Sequence, residues 1–83
     1  MSPHERLYAL LREGREKAGL TQRAFAAMLD RPQSFVSRYE TGASMVTVVD
    51  LIWLCGALGL DPRWVLDEVM KAATPRRSTT ATS

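Results

Sequence analysis

Residues that begin and end helices follow one another at short intervals along this chain. Ser2, Pro3 and Glu5 form a helix start: Ser caps the helix, Pro takes its first position and Glu completes a capping box. Gly19 and Thr21 then end one helix and begin the next. Similar signals recur along the chain, and no stretch alternates apolar and polar residues as a strand would. The sequence therefore predicts an all-α fold of five short helices, at about residues 3–18, 22–29, 33–41, 48–58 and 62–72.

The length and composition of the chain allow one small globular domain. It has 83 residues, of which 46% are hydrophobic and 24% are charged, as in ordinary soluble proteins. We expect residues 1–72 to form the domain and residues 73–83, which are rich in Ser and Thr and include Arg76 and Arg77, to form a flexible basic tail. A domain of this size buries a limited core, so association with a second subunit is the natural reinforcement.

Several classes of protein are excluded by the residues that the sequence lacks. Cys55 is the only cysteine and His4 the only histidine, which excludes an internal disulfide and a zinc site of four Cys or His ligands. No glycine-rich phosphate loop and no nucleophile paired with a base is present, so we expect no catalysis, no metal and no cofactor. The longest apolar run, Leu51 to Cys55, is too short for a membrane helix, and no secretory signal is found. These features predict a cytoplasmic protein.

The charges are distributed unequally along the chain, whose net charge is +2. Residues 1–38 carry seven basic and four acidic side chains, whereas residues 39–71 carry two basic and five acidic ones. Such asymmetry is typical of a protein with one end that attracts a polyanion. Solvated helix faces produce the same pattern, and charge alone does not decide between these two interpretations.

The second and third predicted helices are separated by only three residues, Asp30 to Pro32. Two short helices joined by so tight a turn are typical of a helix-turn-helix, in which the second helix enters the major groove of DNA. Ala26 is small enough to let the two helices cross closely. The outward side chains of the third helix are of the types that hydrogen-bond base edges: Gln33, Ser34, Ser37 and Arg38.

For two of these residues an alternative to base reading stays open. Arg38 could be a surface ion-pair partner, and Gln33 an ordinary polar residue of a first helical turn.

These segments resemble the lambda-repressor-like, or Cro-type (XRE), helix-turn-helix domains of phage repressors and small bacterial regulators. The resemblance covers about Leu7 to Val69. Asp30 stands where this family commonly has Gly, and Asp tolerates the left-handed backbone better than most residues. The resemblance implies a compact five-helix DNA-binding fold. The resemblance rests on four separate segments: Ala18-Gly-Leu-Thr-Gln22, Phe25-Ala26, Pro32 to Gly42, and Ala57-Leu-Gly-Leu-Asp61.

The same resemblance implies roles for individual residues. Gln33, Ser34 and Arg38 match positions that read bases, with Ser37 beside them. Glu40 matches a structural residue that pairs with an Arg of the first helix, such as Arg12. For Phe35 the alternative is a core position, and Arg31 is expected to face solvent or a phosphate. The residues expected near the sugar-phosphate backbone are Thr21, Gln22, Arg23, Arg31, Phe35, Thr41 and Ser44.

The fourth predicted helix has more apolar side chains than the core of a five-helix domain needs. Val49, Trp53 and Gly56 are left over at i, i+4 and i+7, where they form a second stripe on this helix. An exposed Trp beside a Val favours a partner, so we predict a homodimer interface here. The alternative is that Trp53 only covers the first or fifth helix. The expected core residues are Leu51, Ile52, Leu54, Cys55 and Leu58, and the expected interface adds Met45, Trp64, Val65 and Val69 to the stripe.

These features predict a transcriptional regulator that binds double-stranded DNA sequence-specifically, as a homodimer on an inverted-repeat operator. Whether it represses or activates stays open. The alternative is an antitoxin or a protein-binding module that captures another regulator through the apolar stripe of the fourth helix. A stable complex with another protein, with DNA binding dispensable, would identify that alternative.

Overall fold

A computed structural model of the chain describes residues 1–73. These residues form no β-strand, so the predicted all-α class and the five helices are confirmed. The predicted tail lies outside the described residues except for Ala73, which is still helical. No helix of the described part has the length and hydropathy that crossing a membrane requires. The helices are α1 (Pro3–Lys17), α2 (Gln22–Met28), α3 (Gln33–Thr41), α4 (Val48–Leu58) and α5 (Pro62–Ala73).

Side-chain caps determine where several of these helices begin. The Ser2 Oγ accepts a hydrogen bond from the Glu5 N–H at 3.1 Å, and the Glu5 carboxylate accepts one from the Ser2 N–H at 2.8 Å, which confirms the predicted capping box. The backbone hydrogen bond from Ser2 is the main cause that lowers the pKa of Glu5. Thr21 and Thr47 cap α2 and α4 in the same way, each at 3.0 Å. Each cap satisfies an N–H that the helix itself leaves unpaired.

The first and last helices lie antiparallel against each other. Arg6 near the start of α1 donates a hydrogen bond to Glu68 near the end of α5 at 2.8 Å. Gly14 of α1 lies beside Leu60, just before α5: a Cβ on Gly14 would come within 2.7 Å of the Leu60 Cδ1. Because α1 also contacts α3 and α4, it forms the central support of the domain.

The core differs from the sequence prediction in α4. Ile52 is 55% exposed, so the prediction that it faces inward is wrong, and the apolar Met28 of α2 is also exposed, at 57%. Ile52 lies a third of a turn from Leu51, outside the inward stripe, and Leu29 takes the inward position beside Met28. Cys55 is a core residue as predicted, and burial raises the pKa of its thiol. The core comprises Leu10, Leu11, Phe25, Ala26, Leu29, Val36, Tyr39, Leu51, Leu54, Cys55 and Val65.

Candidate nucleic-acid interface

The turn between α2 and α3 is determined by two residues with restricted backbones. Asp30 adopts a φ of 56° and is the only non-glycine residue with positive φ in the part of the chain described. This confirms that Asp supplies the left-handed conformation at this position. The Arg31 N–H then donates to the Ala26 carbonyl oxygen at 2.9 Å, which ties the turn back to α2. Pro32 is the N-cap of α3, with ψ at 153°, so the helix proper begins one residue later.

Buried side chains fix the crossing of α2 over α3. Ala26 is 2% exposed, in agreement with the prediction that a small residue is required there. Phe25 and Val36 are fully buried and Tyr39 is 2% exposed. The inner faces of both helices are thus used by the core, and the outer face of α3 is available to a partner.

The outer face of α3 presents hydrogen-bonding side chains to solvent. Gln33, Ser34 and Arg38 are exposed, and Ser37 is half-buried. The Ser37 Oγ donates to the Ser34 carbonyl oxygen at 3.4 Å. Since residues four apart share one side of a helix, all four lie on a single surface. The structure therefore brings the four predicted base-reading residues together.

The segment that follows α3 folds back onto its last turn. The N–H groups of Ala43 and Ser44 donate to the Arg38 carbonyl oxygen at 2.8 and 3.1 Å. The Arg38 Nε also donates to the Ser44 Oγ at 2.9 Å. This bond uses one of the five N–H donors of the guanidinium and leaves the others for an acceptor. Within residues 1–73 Arg38 forms no ion pair, so the alternative interpretation of this residue is not observed.

A buried ion pair joins α1 to α3, but its arginine is not the one that the sequence suggested. Glu40 receives hydrogen bonds from Arg15 Nε at 2.7 Å and Nη2 at 3.0 Å. The side chain of Arg15 is 9% exposed and that of Glu40 is 3% exposed. Arg12 instead pairs with Glu16 at the surface, at 3.2 Å. The prediction of Arg12 is therefore wrong. The sequence could have indicated Arg15, because it lies four positions after the core residue Leu11 and therefore on the same inward face of α1.

This ion pair also holds a residue of the predicted DNA surface. The Gln22 Nε2 donates to the Glu40 Oε1 at 3.0 Å, and Arg15 Nη1 donates to the Leu20 carbonyl oxygen at 2.8 Å. The hydrogen bonds with Glu40 are the main cause that raises the pKa of Arg15. The start of α2 is thus fixed relative to α3 by charge-assisted hydrogen bonds, which are stronger than neutral ones.

Comparison with known proteins agrees with this geometry. Residues 6–66 match the family model described as a helix-turn-helix domain. The chain belongs to the helix-turn-helix family. The matched region runs from α1 into α5 and contains the turn, the outer face of α3 and the buried ion pair. No curated protein matches the chain.

Solved structures place this helix-turn-helix protein among XRE-type domains. An XRE-family like protein from Pseudomonas syringae pv. tomato str. DC3000 has a TM-score of 0.77 and 40% identity, and the match covers 88% of each chain. The clp gene regulator ClgR from C. glutamicum has a TM-score of 0.74 and 29% identity, over 92% of this chain and 99% of that one. The lambda-repressor-like family and fold predicted from the sequence are confirmed.

The residues expected at the sugar-phosphate backbone fall into two groups in the helix-turn-helix domain. Thr21, Arg23 and Thr41 are exposed. The hydroxyls of Thr21 and Thr41 also form local bonds: Thr21 caps α2, and the Thr41 Oγ1 donates to the Ser37 carbonyl oxygen at 3.0 Å. Gln22 and Ser44 are half-buried, held by the contacts described above.

Two further residues of that set pack against α4. Phe35 is half-buried, and its ring lies 5.7 Å from that of Tyr39 and 6.1 Å from that of Trp53, centroid to centroid. Arg31 is exposed, and its guanidinium lies over both Phe35 and Trp53. Trp53 thus packs against α3 and the turn, a contact that the sequence did not reveal.

The outer side of α4 is apolar and exposed. Val49 is 75% exposed and Trp53 37% exposed, in keeping with the predicted second stripe. The prediction that Val65 belongs to the interface is wrong, because Val65 is fully buried in the core. Val69 is half-buried against the core. Met45 and Trp64 are exposed. We call the exposed surface of this helix the α4 face: Val48, Val49, Ile52, Trp53 and Gly56.

Proposed function

We propose that this helix-turn-helix protein is a transcriptional regulator that binds double-stranded DNA sequence-specifically, as a homodimer on an inverted-repeat operator. The observation that carries the proposal is the outer face of α3. It exposes Gln33, Ser34 and Arg38 side by side, while Val36 and Tyr39 face the core and Glu40 forms the buried ion pair. An amide, a hydroxyl and a guanidinium are the groups that distinguish bases in the major groove.

Base reading and backbone binding are separate tasks in this proposal. Gln33, Ser34, Ser37 and Arg38 contact base edges and provide specificity, whereas Gln22 and Arg23 at the start of α2 contact phosphates and position the domain. The ion pair of Glu40 holds the start of α2, so both groups are presented on one rigid frame. The similarity to ClgR, a clp gene regulator, supports a role in transcription.

The α4 face supports the homodimer. Its five residues form a continuous apolar surface, and large exposed aromatic and β-branched side chains on one helix face are typical of subunit interfaces. A two-fold dimer presents two α3 helices to successive major grooves, about 34–36 Å apart on one side of the duplex.

Selection of bound duplexes from a random pool, at physiological salt and with excess nonspecific competitor, tests the DNA-binding part. We expect enrichment of an inverted repeat whose half-sites lie about one helical turn apart. If no sequence is enriched and the remaining binding is weak and salt-sensitive, the proposal is wrong.

Sedimentation of Val49→Glu tests the homodimer. A charge at this exposed site disrupts an apolar interface without disturbing the monomer, so we expect a shift from dimer to monomer. Met28→Glu is the matched control, because Met28 is also exposed and apolar but lies on α2. Unchanged sedimentation of Val49→Glu would show that the α4 face is not a self-association surface.

The α4 face also fits a second function, an antitoxin or a protein-binding module that captures another regulator. In that case a hetero-complex survives Arg38→Ala but not Val49→Glu, and loss of DNA binding leaves its formation unchanged. If the homodimer is correct, a second copy of this chain covers the α4 face, and the purified protein is dimeric without any other protein.

A further inference from the structure

Arg31 lies where the turn, α3 and α4 meet. Its guanidinium carbon is 5.1 Å from the ring centroid of Trp53 and 5.6 Å from that of Phe35. The two rings lie 6.1 Å apart at an interplanar angle of 52°. One cation is thus shared between two aromatic rings, one from the first turn of α3 and one from α4. Such contacts attract a guanidinium to the face of a ring.

This arrangement leaves the hydrogen-bonding capacity of Arg31 unused. An aromatic ring attracts the cation through its π face and offers no oxygen acceptor to the five N–H donors of the guanidinium. Among residues 1–73 the Arg31 side chain has no carboxylate partner and donates no hydrogen bond, and it is exposed to solvent. The charge is held in place but not neutralised.

The position of Arg31 relates it to the predicted DNA surface. Its backbone is fixed by the hydrogen bond to Ala26 and by Pro32, which follows it directly. Arg31 lines the cleft between α3, the segment after it and the first turn of α4, together with Ser34, Arg38, Ser44 and the acidic Asp50. The guanidinium therefore borders the same cleft as the residues assigned to base and backbone contacts.

We propose that Phe35 and Trp53 form an aromatic platform that holds the Arg31 guanidinium toward a DNA phosphate, and that Trp53 is thereby a positioning residue for DNA binding. The inference rests on the proposed function and adds a role for α4 in it. Ordering a long side chain before the partner arrives reduces the entropy lost on binding. The two rings offer no oxygen acceptor, so the N–H donors of the guanidinium stay available for a phosphate.

A double-mutant cycle on a duplex with one selected half-site tests the platform. A duplex with one half-site binds one α3 helix specifically, so the variants are compared without a second specific site. Arg31→Ala is expected to lower affinity and to reduce the salt slope by about 0.9, the value for one phosphate contact. Trp53→Leu is expected to lower affinity by about 2- to 5-fold, in line with an exposed cation–π contact. In the Trp53→Leu background, Arg31→Ala should then cost less than it does in the wild type.

Three further variants separate the platform from other causes. Trp53→Phe keeps an aromatic face and is expected to restore the coupling with Arg31. Leu66→Ser changes an exposed apolar residue of α5, outside the α4 face, and should leave half-site affinity and salt slope unchanged. Trp fluorescence in a Trp64→Phe background reports the stack without DNA: Arg31→Ala should change the emission of Trp53.

The outcomes distinguish the platform from the proposed function. If Arg38→Ala weakens half-site binding while Arg31→Ala and Trp53→Leu act additively, DNA binding stands and the platform is wrong. An unchanged salt slope for Arg31→Ala, or an unchanged Trp53 emission, would also overturn it. If the wild type selects no sequence at all, the proposed function has failed and the platform fails with it.

Discussion

At the scale of single residues, the outer face of α3 presents an amide, two hydroxyls and a guanidinium within two turns of one helix. The helical period places Gln33, Ser37 and their neighbours on one side, and the structure has them there. The partner of Glu40 was predicted wrongly, because the family pattern names only an Arg of α1. Choosing between Arg12 and Arg15 requires the rotation of α1 about its axis, which depends on how the helices pack.

Removing Arg38 should affect sequence preference, whereas removing Arg23 should not. Arg38→Ala is expected to cost about 1–3 kcal/mol on the selected duplex and to relax the preference at one base pair per half-site. Arg23→Ala should weaken binding to all sequences alike and lower the salt slope by about 1. Fluorescence anisotropy with matched and base-substituted duplexes measures both. Uniform loss of affinity for both variants would contradict the division between bases and phosphates.

Breaking the buried ion pair should destabilise the domain. Glu40→Ala leaves the Arg15 guanidinium buried without its carboxylate, which typically costs about 3–5 kcal/mol. Arg12→Ala is the matched control: it removes the exposed Arg12–Glu16 pair, and such pairs contribute at most about 1 kcal/mol. Urea denaturation followed by circular dichroism gives both values. Equal losses for the two variants would show that burial does not determine the strength of these pairs.

At the scale of helices, their ends were predictable and the orientation of α4 was not. Caps such as Ser2 with Glu5 and stops such as Gly59 are local signals, so all five helices lie within a residue of their predicted bounds. In α4 nearly every side chain is apolar, so the spacing of apolar residues does not show which side of the helix faces the core. Packing against α1 and α5 decides that Leu51 faces inward and Ile52 outward.

Gly56 in the middle of α4 offers a test of that orientation. A Cβ added at Gly56 meets no heavy atom within 4 Å, so Gly56→Ala should stabilise the monomer by about 0.5–1 kcal/mol through helix propensity. Gly59→Ala is the control and should destabilise, because Gly59 has a φ of +72°. Thermal unfolding at low protein concentration compares the two. A Gly56→Ala variant less stable than the wild type would mean that α4 packs differently.

The contact between α1 and α5 should make stability depend on acid pH. Hydrogen bonds from Lys71 and Arg6 lower the pKa of Glu68 below its ordinary 4.5. A pKa depressed by folding adds stability above the unfolded pKa, and this stability is lost as pH falls through the folded one. Glu68→Gln should therefore lower the Tm at neutral pH, with a difference that shrinks below pH 4.5. A difference that stays constant with pH would contradict this assignment.

At the scale of the whole molecule, the proposed contacts use two surfaces that the core leaves exposed: the outer face of α3 and the α4 face. The sequence indicated the first, and it indicated the second only in part, because it placed Val49, Trp53 and Gly56 there but assigned Ile52 to the core. It did not indicate that they meet at Trp53, which lies on the α4 face and packs against Phe35 of α3. Such a contact joins positions far apart in the chain, and only tertiary packing reveals it.

Sequence selection carried out in parallel with the wild type and with Gln33→Glu tests whether α3 reads bases. A glutamate accepts hydrogen bonds from cytosine, whereas a glutamine pairs with adenine. We expect both proteins to enrich inverted repeats with the same half-site spacing, and the Gln33→Glu consensus to differ at the same position of each half-site. An identical consensus, or one altered throughout, would contradict base reading by α3.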